Sequence, residues 1–251
     1  MAAELGLGLI SIGRGWGVRP APLPTDTEAE KLLETALECG IRFFDTAPSY
    51  GLSEQRLGAF LRGHGAVDLT IATKCGEHWS DNGPFVDHSF DALRSSIDRS
   101  LALLARIDLL QIHKATTGVL ARDDLHRALE YARSCGVREF GASVTDLDAA
   151  RTAARDPAFG WIQIFFHPRS PQLEPVFGLG KRVLVNRPFA MGALAYDDDG
   201  QPRGPEDLAA VFAFTLRRRF EGVVLTGTRS PEHLRQNAAA FRRARAMVEG
   251  C

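Results

Sequence analysis

The sequence predicts a (β/α)8 barrel, that is, a TIM barrel that forms a single α/β domain over residues 1–251. Short apolar segments alternate with helical patterns along the chain, an order that is typical of parallel strands joined by helices. Eight such strand–helix units in 251 residues match the size of a closed barrel, and no low-complexity linker divides them. An open, doubly wound sheet is the competing architecture.

The N-terminal half shows where its helices begin and end. Thr25 and Glu28 form a capping-box pattern, and Gly40 follows the helically spaced apolar residues at a position typical of a helix C-terminus. Further helices are predicted over 53–61 and 90–104, and strands over 7–12, 41–44, 68–73 and 107–112.

The C-terminal half continues the alternation. Gly136 ends a helix marked by the apolar residues of 125–132, and Thr145 opens the next helix. Ser230 followed by Pro231 predicts a helix to about Met247, because proline is favoured at the first helical position. The remaining predicted elements are strands over 137–142, 161–166, 183–185 and 222–225, a helix over 206–219 and an irregular crossover over 171–179.

The glycine-rich segment 6–17 does not have the context of a Rossmann fingerprint. That motif needs a helix directly after its glycines, because the helix N-terminus holds the pyrophosphate. Here Pro20, Pro22 and Pro24 follow, and alternate prolines forbid a helix. Glycines beside a strand end still allow a ligand to approach the backbone closely.

Composition and charge argue against several classes of function. The 30 basic and 31 acidic residues are interspersed and give a net charge of −1, which does not indicate nucleic-acid binding or a polybasic membrane surface. No apolar run approaches the roughly 18 residues of a membrane span, and the N-terminus lacks the basic region of a signal peptide. The cysteines are widely spaced, which predicts free thiols, no metal site and a cytoplasmic location. They are Cys39, Cys75, Cys135 and Cys251.

Four titratable side chains end or follow three consecutive predicted strands. Asp45 ends the strand in RFFDTAPSYG and Tyr50 lies in the loop behind it; Lys74 ends the strand in IATKCG, and His113 ends the strand in DLLQIHK. Active sites of such barrels lie at the C-terminal strand ends, so the four side chains are predicted to converge. Each has a structural alternative, such as a helix cap for Asp45, but packing does not explain three apolar strands that all end in polar residues.

These residue types support proton transfer. Only four of the 30 basic residues are lysines, so a lysine at position 74 indicates a need for a compact ammonium. That ammonium is predicted to lower the pKa of Tyr50 from its usual value of about 10, while Asp45 holds Lys74 in place. Tyr50 would then act as a general acid, and His113 would orient a substrate oxygen. Protonating an oxygen is half of a carbonyl reduction, and a cofactor must supply the hydride.

The segment GIRFFDTAPSYGLSEQRLGAFL (residues 40–61), together with TKCG and LLQIHK, resembles the aldo-keto reductases, and the resemblance extends over nearly the whole chain. It implies a (β/α)8 barrel with NADPH as the cofactor and a small-molecule carbonyl substrate. It also implies a catalytic tetrad of Asp45, Tyr50, Lys74 and His113. The function expected from this resemblance is NADPH-dependent reduction of an aldehyde or ketone.

The same resemblance implies a cofactor site. Gly15 and Trp16 lie in LGLGLISIGRGWG, the loop against the cofactor, while Ser143 and Gln163 fit the pair that binds the nicotinamide carboxamide. The segment LTGTRSPEHLRQN is similar to the clamp for the adenosine phosphate. Arg229 offers forked donors there, and the following helix N-terminus favours anions. The other cofactor residues implied are Asn186, Arg187, Pro188, Gly227, Thr228, His233, Gln236 and Asn237.

Departures from the family pattern leave alternatives open. Val144 stands where asparagine is usual, and Asn186 occupies a position that often stacks an aromatic ring on nicotinamide. The chain is also short for the family, and its acidic stretch 197–205 is predicted to be a mobile, solvated loop unless it closes over the substrate. A non-redox isomerase or lyase using the same tetrad is one alternative, and a nucleotide-sensing binding subunit is another.

The substrate pocket is expected to be partly apolar, and Arg187 indicates an anionic or polar group on the substrate. Residues predicted to contact the substrate or form the pocket walls are Trp16, Tyr50, Trp79, Phe85, His113 and Phe166. Substrate identity and oligomeric state are not predicted.

Overall fold

A computed structural model describes residues 3–19, 21–64 and 68–250 of the chain. Its strands are β1 (Glu4–Gly8), β2 (Phe43–Asp45), β3 (Thr70–Cys75), β4 (Glu77–Ser80), β5 (Gly83–Val86), β6 (Leu109–Ile112), β7 (Glu139–Ser143), β8 (Trp161–Phe165), β9 (Arg182–Asn186) and β10 (Gly222–Thr226). Eight of them close into a parallel barrel in the order β1-β10-β9-β8-β7-β6-β3-β2. The predicted barrel is confirmed, and the open sheet is excluded.

Helices connect these strands. They are α1 (Ile10–Gly13), α2 (Asp26–Glu38), α3 (Ser53–His64), α4 (Phe90–Leu104), α5 (Thr117–Leu120), α6 (Asp123–Ser134), α7 (Leu147–Arg155), α8 (Pro205–Leu216) and α9 (Pro231–Glu249). Shorter 3-10 turns cover Pro48–Tyr50, Glu174–Gly178 and Ala190–Ala195. Within the described ranges, no helix combines the length and apolar character that a bilayer crossing requires.

Most helix boundaries follow the predicted capping signals. The Thr25–Glu28 capping box forms the start of α2, and Ser230 caps α9. The N-cap of α7 is Asp146 instead of the predicted Thr145, because the Asp146 carboxylate accepts a hydrogen bond from the Ala149 N–H at 2.8 Å. No helix occupies residues 21–25, as the proline spacing predicts, while Pro20 itself lies outside the described residues.

Two regions differ from the predicted elements. The first strand ends at Gly8 instead of near residue 12, and residues 10–13 form α1. A Cβ on Gly13 would lie 1.8 Å from the carbonyl oxygen of Tyr50, so glycine lets α1 pack directly against the turn that carries Tyr50. The hairpin of β4 and β5 is not among the predicted elements. Its apolar residues Trp79, Phe85 and Val86 are exposed, so they do not alternate with polar residues as a half-buried strand would.

Strand alternation builds an apolar layer and a polar layer inside the barrel. Side chains two residues apart on a strand point to the same face. The interior apolar cluster consists of Phe43, Ala72, Leu109, Trp161, Leu184, Val223 and Leu225. Two residues further along their strands stand the buried polar side chains of Asp45, Lys74, Gln111 and Gln163. The polar layer therefore lies on the side of the C-terminal strand ends, where barrel active sites occur.

Candidate active site

Lys74 and Asp45 form a buried ion pair in the polar layer. Lys74 Nζ donates a hydrogen bond to Asp45 Oδ2 at 2.6 Å and another to the carbonyl oxygen of Thr46 at 2.9 Å. Burial alone would lower the pKa of Lys74, but the charges and hydrogen bonds of Asp45 and Tyr50 outweigh it and raise that pKa. Lys74 therefore remains an ammonium inside the protein.

The second carboxylate oxygen of Asp45 is also bonded. Gln111 Nε2 donates to Asp45 Oδ1 at 2.8 Å, and Gln163 Nε2 donates to the same oxygen at 3.3 Å. Gln111 is missing from the site predicted from the sequence. The signal that could have found it is strand alternation, since Gln111 lies two residues before His113 in LLQIHK and shares its face of the strand.

Tyr50 lies close to the ammonium of Lys74. Lys74 Nζ is 4.8 Å from the centroid of the Tyr50 ring. The chain turns at Gly51 with a φ of 61°, where a Cβ would lie 2.4 Å from the carbonyl oxygen of Gly13, so this turn requires glycine.

The predicted lowering of the pKa of Tyr50 is wrong in its net direction. Burial raises this pKa, and the opposing effect of Lys74 is smaller. The main reason is that burial disfavours the charged phenolate, and the negative charge of Asp45, which also pairs with the ammonium, acts in the same direction. Tyr50 is therefore a protonated phenol at neutral pH.

His113 completes the predicted group of four. Its ring centroid is 6.0 Å from that of Tyr50, with the two rings nearly perpendicular. Burial, together with the positive charge of Lys74, holds the pKa of His113 well below 6.5, so the ring is neutral. Its Nδ1 is 3.2 Å from Glu77 Oε2 and 3.4 Å from Ser49 Oγ. Each neutral tautomer thus has a partner: Nδ1–H donates to Glu77, or an unprotonated Nδ1 accepts from Ser49.

Two buried carboxyl groups next to these residues escape the sequence prediction. Glu77 is only 7% exposed, and its Oε1 lies 3.6 Å from Lys114 Nζ. Glu54 accepts hydrogen bonds from Thr73 Oγ1 at 2.6 Å and Ser100 Oγ at 2.8 Å, and burial raises its pKa. Because Thr73 directly precedes Lys74, Glu54 helps to fix the strand that carries the ammonium.

The polar layer opens into a cleft of about 450 Å³ at the barrel mouth. Predicted site residues that line the cleft are Trp16, Asp45, Tyr50, His113, Ser143, Gln163, Asn186, Arg187, Pro188, Gly227, Thr228, Arg229, His233, Gln236 and Asn237. Lys74 lies fully buried beside Asp45 and Tyr50. Gly15 and Trp79 are not among the residues that line the cleft.

Polar contacts along the cleft are suited to an elongated ligand. Ser143 Oγ donates to Gln163 Oε1 at 3.0 Å, which brings the two residues of the predicted carboxamide pair together. Asn237 Nδ2 donates to Thr226 Oγ1 at 2.9 Å at the other end. Asn186 Oδ1 is buried without a hydrogen-bond partner among the described residues, so it can accept a bond from a ligand.

Besides Trp79, two more of the expected pocket walls lie outside the cleft lining. Phe166 is fully buried and packs on Phe177 and Phe214, with ring centroids 4.9 Å and 5.2 Å away, so it belongs to the core. It follows β8 and belongs to the main core cluster rather than to the interior layer. Phe85 is half exposed on the hairpin and stacks on His78.

The acidic stretch 197–205 begins with a compact turn. The Asp197 N–H donates to the carbonyl oxygen of Gln201 at 2.9 Å, and Tyr196 forms a bridge with Pro202. Arg19 holds this turn from the opposite loop, because its guanidinium lies 3.5 Å from the Tyr196 ring centroid and donates to the Gly200 carbonyl oxygen at 3.1 Å. The stretch is thus anchored to the loop after β1.

The fold and the cleft define an enzyme-type barrel with its polar side chains at the C-terminal mouth. The chain belongs to the aldo/keto reductase family, whose family model matches residues 4–210. This is a family of oxidoreductases. The 6-dehydroglucose reductase of Novosphingobium aromaticivorans is 39% identical over 225 residues, which cover 80% of this chain and 70% of that protein.

Other relatives agree with this assignment. The D-threo-aldose 1-dehydrogenase of a Pseudomonas species is 34% identical over 167 residues, which cover 56% of this chain. The chain spans about half (51%) of that relative's length. An aldo-keto reductase structure from Pseudomonas aeruginosa superposes with a TM-score of 0.81 at 28% identity, covering 97% of this chain and 90% of that one. The holo form of a Bacillus halodurans aldo-keto reductase, at 23% identity and a TM-score of 0.78, shares the fold.

Proposed function

We propose that this protein is an NADPH-dependent oxidoreductase that reduces an aldehyde or ketone to an alcohol, with Tyr50 as the proton donor. The observation that carries the proposal is the buried Lys74–Asp45 pair, whose ammonium lies 4.8 Å from the Tyr50 ring centroid. A stability argument alone does not favour a buried lysine, because the desolvation of a buried ion pair is expensive.

Tyr50 acts as a general acid in this proposal. Since burial raises its pKa, the phenol carries its proton at neutral pH. An oxygen that becomes an alkoxide during reduction is a much stronger base than a carbonyl oxygen, so it can take that proton. Lys74 then lies close enough to stabilise the phenolate that remains. Its ammonium therefore stabilises the transition state, where negative charge develops on the phenol oxygen, more than the ground state.

His113 orients the substrate oxygen. Its Nε2 has no partner among the described residues, and the ring lies at the cleft wall beside Tyr50. With Ser49 donating to Nδ1, Nε2–H can donate to a carbonyl oxygen. With Nδ1–H donating to Glu77, Nε2 can accept from the hydroxyl of the alcohol. The neutral ring therefore suits both directions of the reaction.

The residues along the cleft fit a nicotinamide dinucleotide. The unpartnered Asn186 Oδ1 and the Ser143–Gln163 pair offer polar contacts for the carboxamide end. Arg229 and the N-terminus of α9 would hold the adenosine phosphate, since both favour an anion. When bound, NADPH supplies the hydride for the carbonyl carbon.

The test of this proposal is Tyr50→Phe, assayed by NADPH oxidation with a panel of aldehydes, ketones and sugars. The sugars are included because two relatives are named for aldose and dehydroglucose chemistry. The variant should lose about 10²–10⁴-fold in kcat/KM, since general acids typically contribute that much. Unchanged kcat/KM would refute the proposed proton donor.

Two parallel assays separate the alternatives. NADH in place of NADPH tests the assigned phosphate clamp, and Arg229→Leu should reduce the preference for NADPH. Substrate turnover without any added nicotinamide, with product identified by mass spectrometry, would favour the non-redox isomerase or lyase instead.

A further inference from the structure

Arg14 lies within an aromatic enclosure beside the proposed reaction centre. Its guanidinium carbon is 5.6 Å from the ring centroid of Trp16, 5.9 Å from that of Tyr50 and 5.5 Å from that of Trp79. Its Nε is buried and has no hydrogen-bond partner among the described residues. The side chain as a whole is only partly buried, but a buried N–H without a partner is costly unless a ligand completes it.

Arg187 extends the same positive region. Its guanidinium carbon lies 5.1 Å from the Trp16 ring centroid, so Trp16 contacts both arginines. Arg187 is open to the cleft, and it adopts a φ of 53°, a conformation that is uncommon outside glycine and that recurs at functional sites. Among the described residues, neither arginine forms an ion pair with a carboxylate.

The nearby acids form no ion pair with these two arginines, although the charge of Glu77 favours the charged form of Arg187 and so acts to raise its pKa. Asp45 is paired with Lys74 at 2.6 Å, and Glu77 lies against Lys114 at 3.6 Å. His113 is neutral. The charge left at the reaction end of the cleft is therefore positive, carried by Arg14 and Arg187, and it favours an anion in a partly desolvated site.

Arg14 is placed for the substrate and not for the proposed adenosine clamp. It lies after β1, but its guanidinium contacts Tyr50, which follows β2, and Trp79, which belongs to β4. The proposed clamp follows β10, on the other side of β1 in the barrel order. Arg14 also lies near enough to His113 for its charge to contribute to the lowered pKa of that ring.

We propose that Arg14, assisted by Arg187, binds a carboxylate on the substrate, so that the preferred substrate is a carbonyl compound bearing a carboxylate close to its carbonyl group. A planar carboxylate can accept two parallel hydrogen bonds from a guanidinium edge, which adds orientation as well as energy. Because the proposal names the substrate class of the site described above, it rests on the proposed function.

The test compares matched pairs of substrates that differ only in charge. 3- and 4-carboxybenzaldehyde are each assayed against their methyl esters, and succinic semialdehyde is assayed against its methyl ester. The wild-type protein should favour at least one acid over its ester by about 10- to 100-fold in kcat/KM, the usual worth of a charge-assisted hydrogen bond. Arg14→Met should lose that preference while retaining reduction of the esters, and Arg14→Lys should recover part of it.

Arg182→Met is the matched control. Arg182 also stacks on a tryptophan, with its guanidinium 4.2 Å from the Trp161 ring centroid, but it begins β9 at the opposite end of the barrel. This variant should keep the preference for the acids. Binding is measured separately, by the quenching of tryptophan fluorescence with 4-carboxybenzyl alcohol in the presence of NADP⁺. Arg14→Met should weaken this binding by a similar factor.

Several outcomes would overturn the inference. Equal kcat/KM for every acid and its ester would show that no carboxylate is recognised, while activity on the esters would leave the proposed function intact. An Arg14→Met variant with weaker NADPH binding and an unchanged preference for the acids would assign the arginine to the cofactor. A preference for glyceraldehyde 3-phosphate over glyceraldehyde, without one for the carboxylates, would assign the site to phosphate. Failure with all carbonyl compounds would refute the proposed function itself.

Discussion

The polar layer inside the barrel and the wall of the cleft above it differ in how their charged side chains are paired. In the polar layer, Asp45 uses both oxygens and Lys74 makes two hydrogen bonds, with neither side chain open to solvent. On the wall, Arg14 and Arg187 contact aromatic rings but no acid among the described residues. The Lys74–Asp45 pair is complete within the protein, although Oε1 of the neighbouring Gln111 is buried without a hydrogen-bond partner among the described residues, whereas the second region needs a ligand to complete it.

This difference separates chemistry from specificity. A proton-transfer group must be held in one geometry before the substrate arrives, and strand ends provide rigid positions for it. Substrate groups are recognised by loops, where an incomplete set of hydrogen bonds is available to a ligand. Variants in the polar layer should therefore affect stability and rate together, and variants on the wall should affect the choice of substrate.

The largest expected effect is that of Lys74→Met. Removing the ammonium leaves Asp45 as a buried charge that retains only its glutamine partners, so the free energy of unfolding should fall by about 3–5 kcal/mol. Reductase activity should fall by about 10²–10⁴-fold or more, because Tyr50 loses the charge that stabilises its phenolate. Urea unfolding and kcat/KM measure the two effects on the same preparations.

The double variant Lys74→Met with Asp45→Asn tests whether the two effects are separable. It removes the stranded charge, so most of the lost stability should return while activity stays low. If activity returned together with stability, the lysine would be a structural residue and the comparison between the two regions would fail.

The polar layer was the more predictable region because it follows strand geometry. Asp45 and Lys74 lie at the ends of β2 and β3, His113 directly follows β6, and parallel strands bring their C-terminal ends to one mouth. The same rule of alternation reaches Gln111, two residues before His113. The direction of the pKa shift of Tyr50 could not be predicted from the sequence, because it depends on how deeply the surrounding residues bury the phenol.

The wall was less predictable because its residues come from irregular loops. Arg14 follows the short α1, which can form because Gly13 packs closely against Tyr50. No periodic pattern in the sequence predicts this arrangement. Glu77 begins a hairpin whose exposed aromatic residues show no burial pattern. Phe166 illustrates the reverse error, since an aromatic residue just after a strand end faces the core instead of the cleft.

Glu54 allows the stability of the polar layer to be tested separately from the cleft. It hydrogen-bonds to Thr73, next to Lys74, but it does not line the cleft. Glu54→Ala leaves the hydroxyl groups of Thr73 and Ser100 without their acceptor and opens a cavity, which should lower the free energy of unfolding by about 2–4 kcal/mol. Urea unfolding of this variant and of Glu54→Gln, which retains an acceptor oxygen, measures the difference.

The sign of the pH effect follows from the raised pKa of Glu54, caused by burial. Above the usual carboxyl pKa of about 4.3, the unfolded chain releases a proton that the folded protein keeps, so stability is lost as pH rises. Glu54→Gln cannot titrate, so its stability relative to the wild type should rise as the pH rises above about 4.3. A stability difference that stays constant as the pH rises would contradict the raised pKa of Glu54.

Glu77→Gln should have a smaller effect, confined to activity. Glu77 Oε2 lies 3.2 Å from Nδ1 of His113, the ring proposed to orient the substrate, so losing its charge should lower kcat/KM by about tenfold and shift the pH profile of kcat/KM. Lys114→Met is the matched control, because it removes the other partner of Glu77 without touching the His113 contact. Equal effects of the two variants would show that Glu77 acts through its pair with Lys114 and not through the hydrogen bond to His113.

The smallest expected effect is a pH dependence of stability that originates at His113. Burial, followed by Lys74, Lys114, Arg14 and His88, holds its pKa well below 6.5. Below about pH 6.5 the unfolded chain therefore takes up a proton that the folded protein does not, and stability falls as pH falls.

The slope from one such group is at most about 1.4 kcal/mol per pH unit. His113→Gln should remove it, as measured by urea unfolding at several pH values below neutrality. A slope that survives His113→Gln unchanged would place the titrating group elsewhere. In that case Glu77, 3.2 Å from Nδ1, would hold a charged imidazolium, and the neutral ring in the proposed reaction would have to be given up.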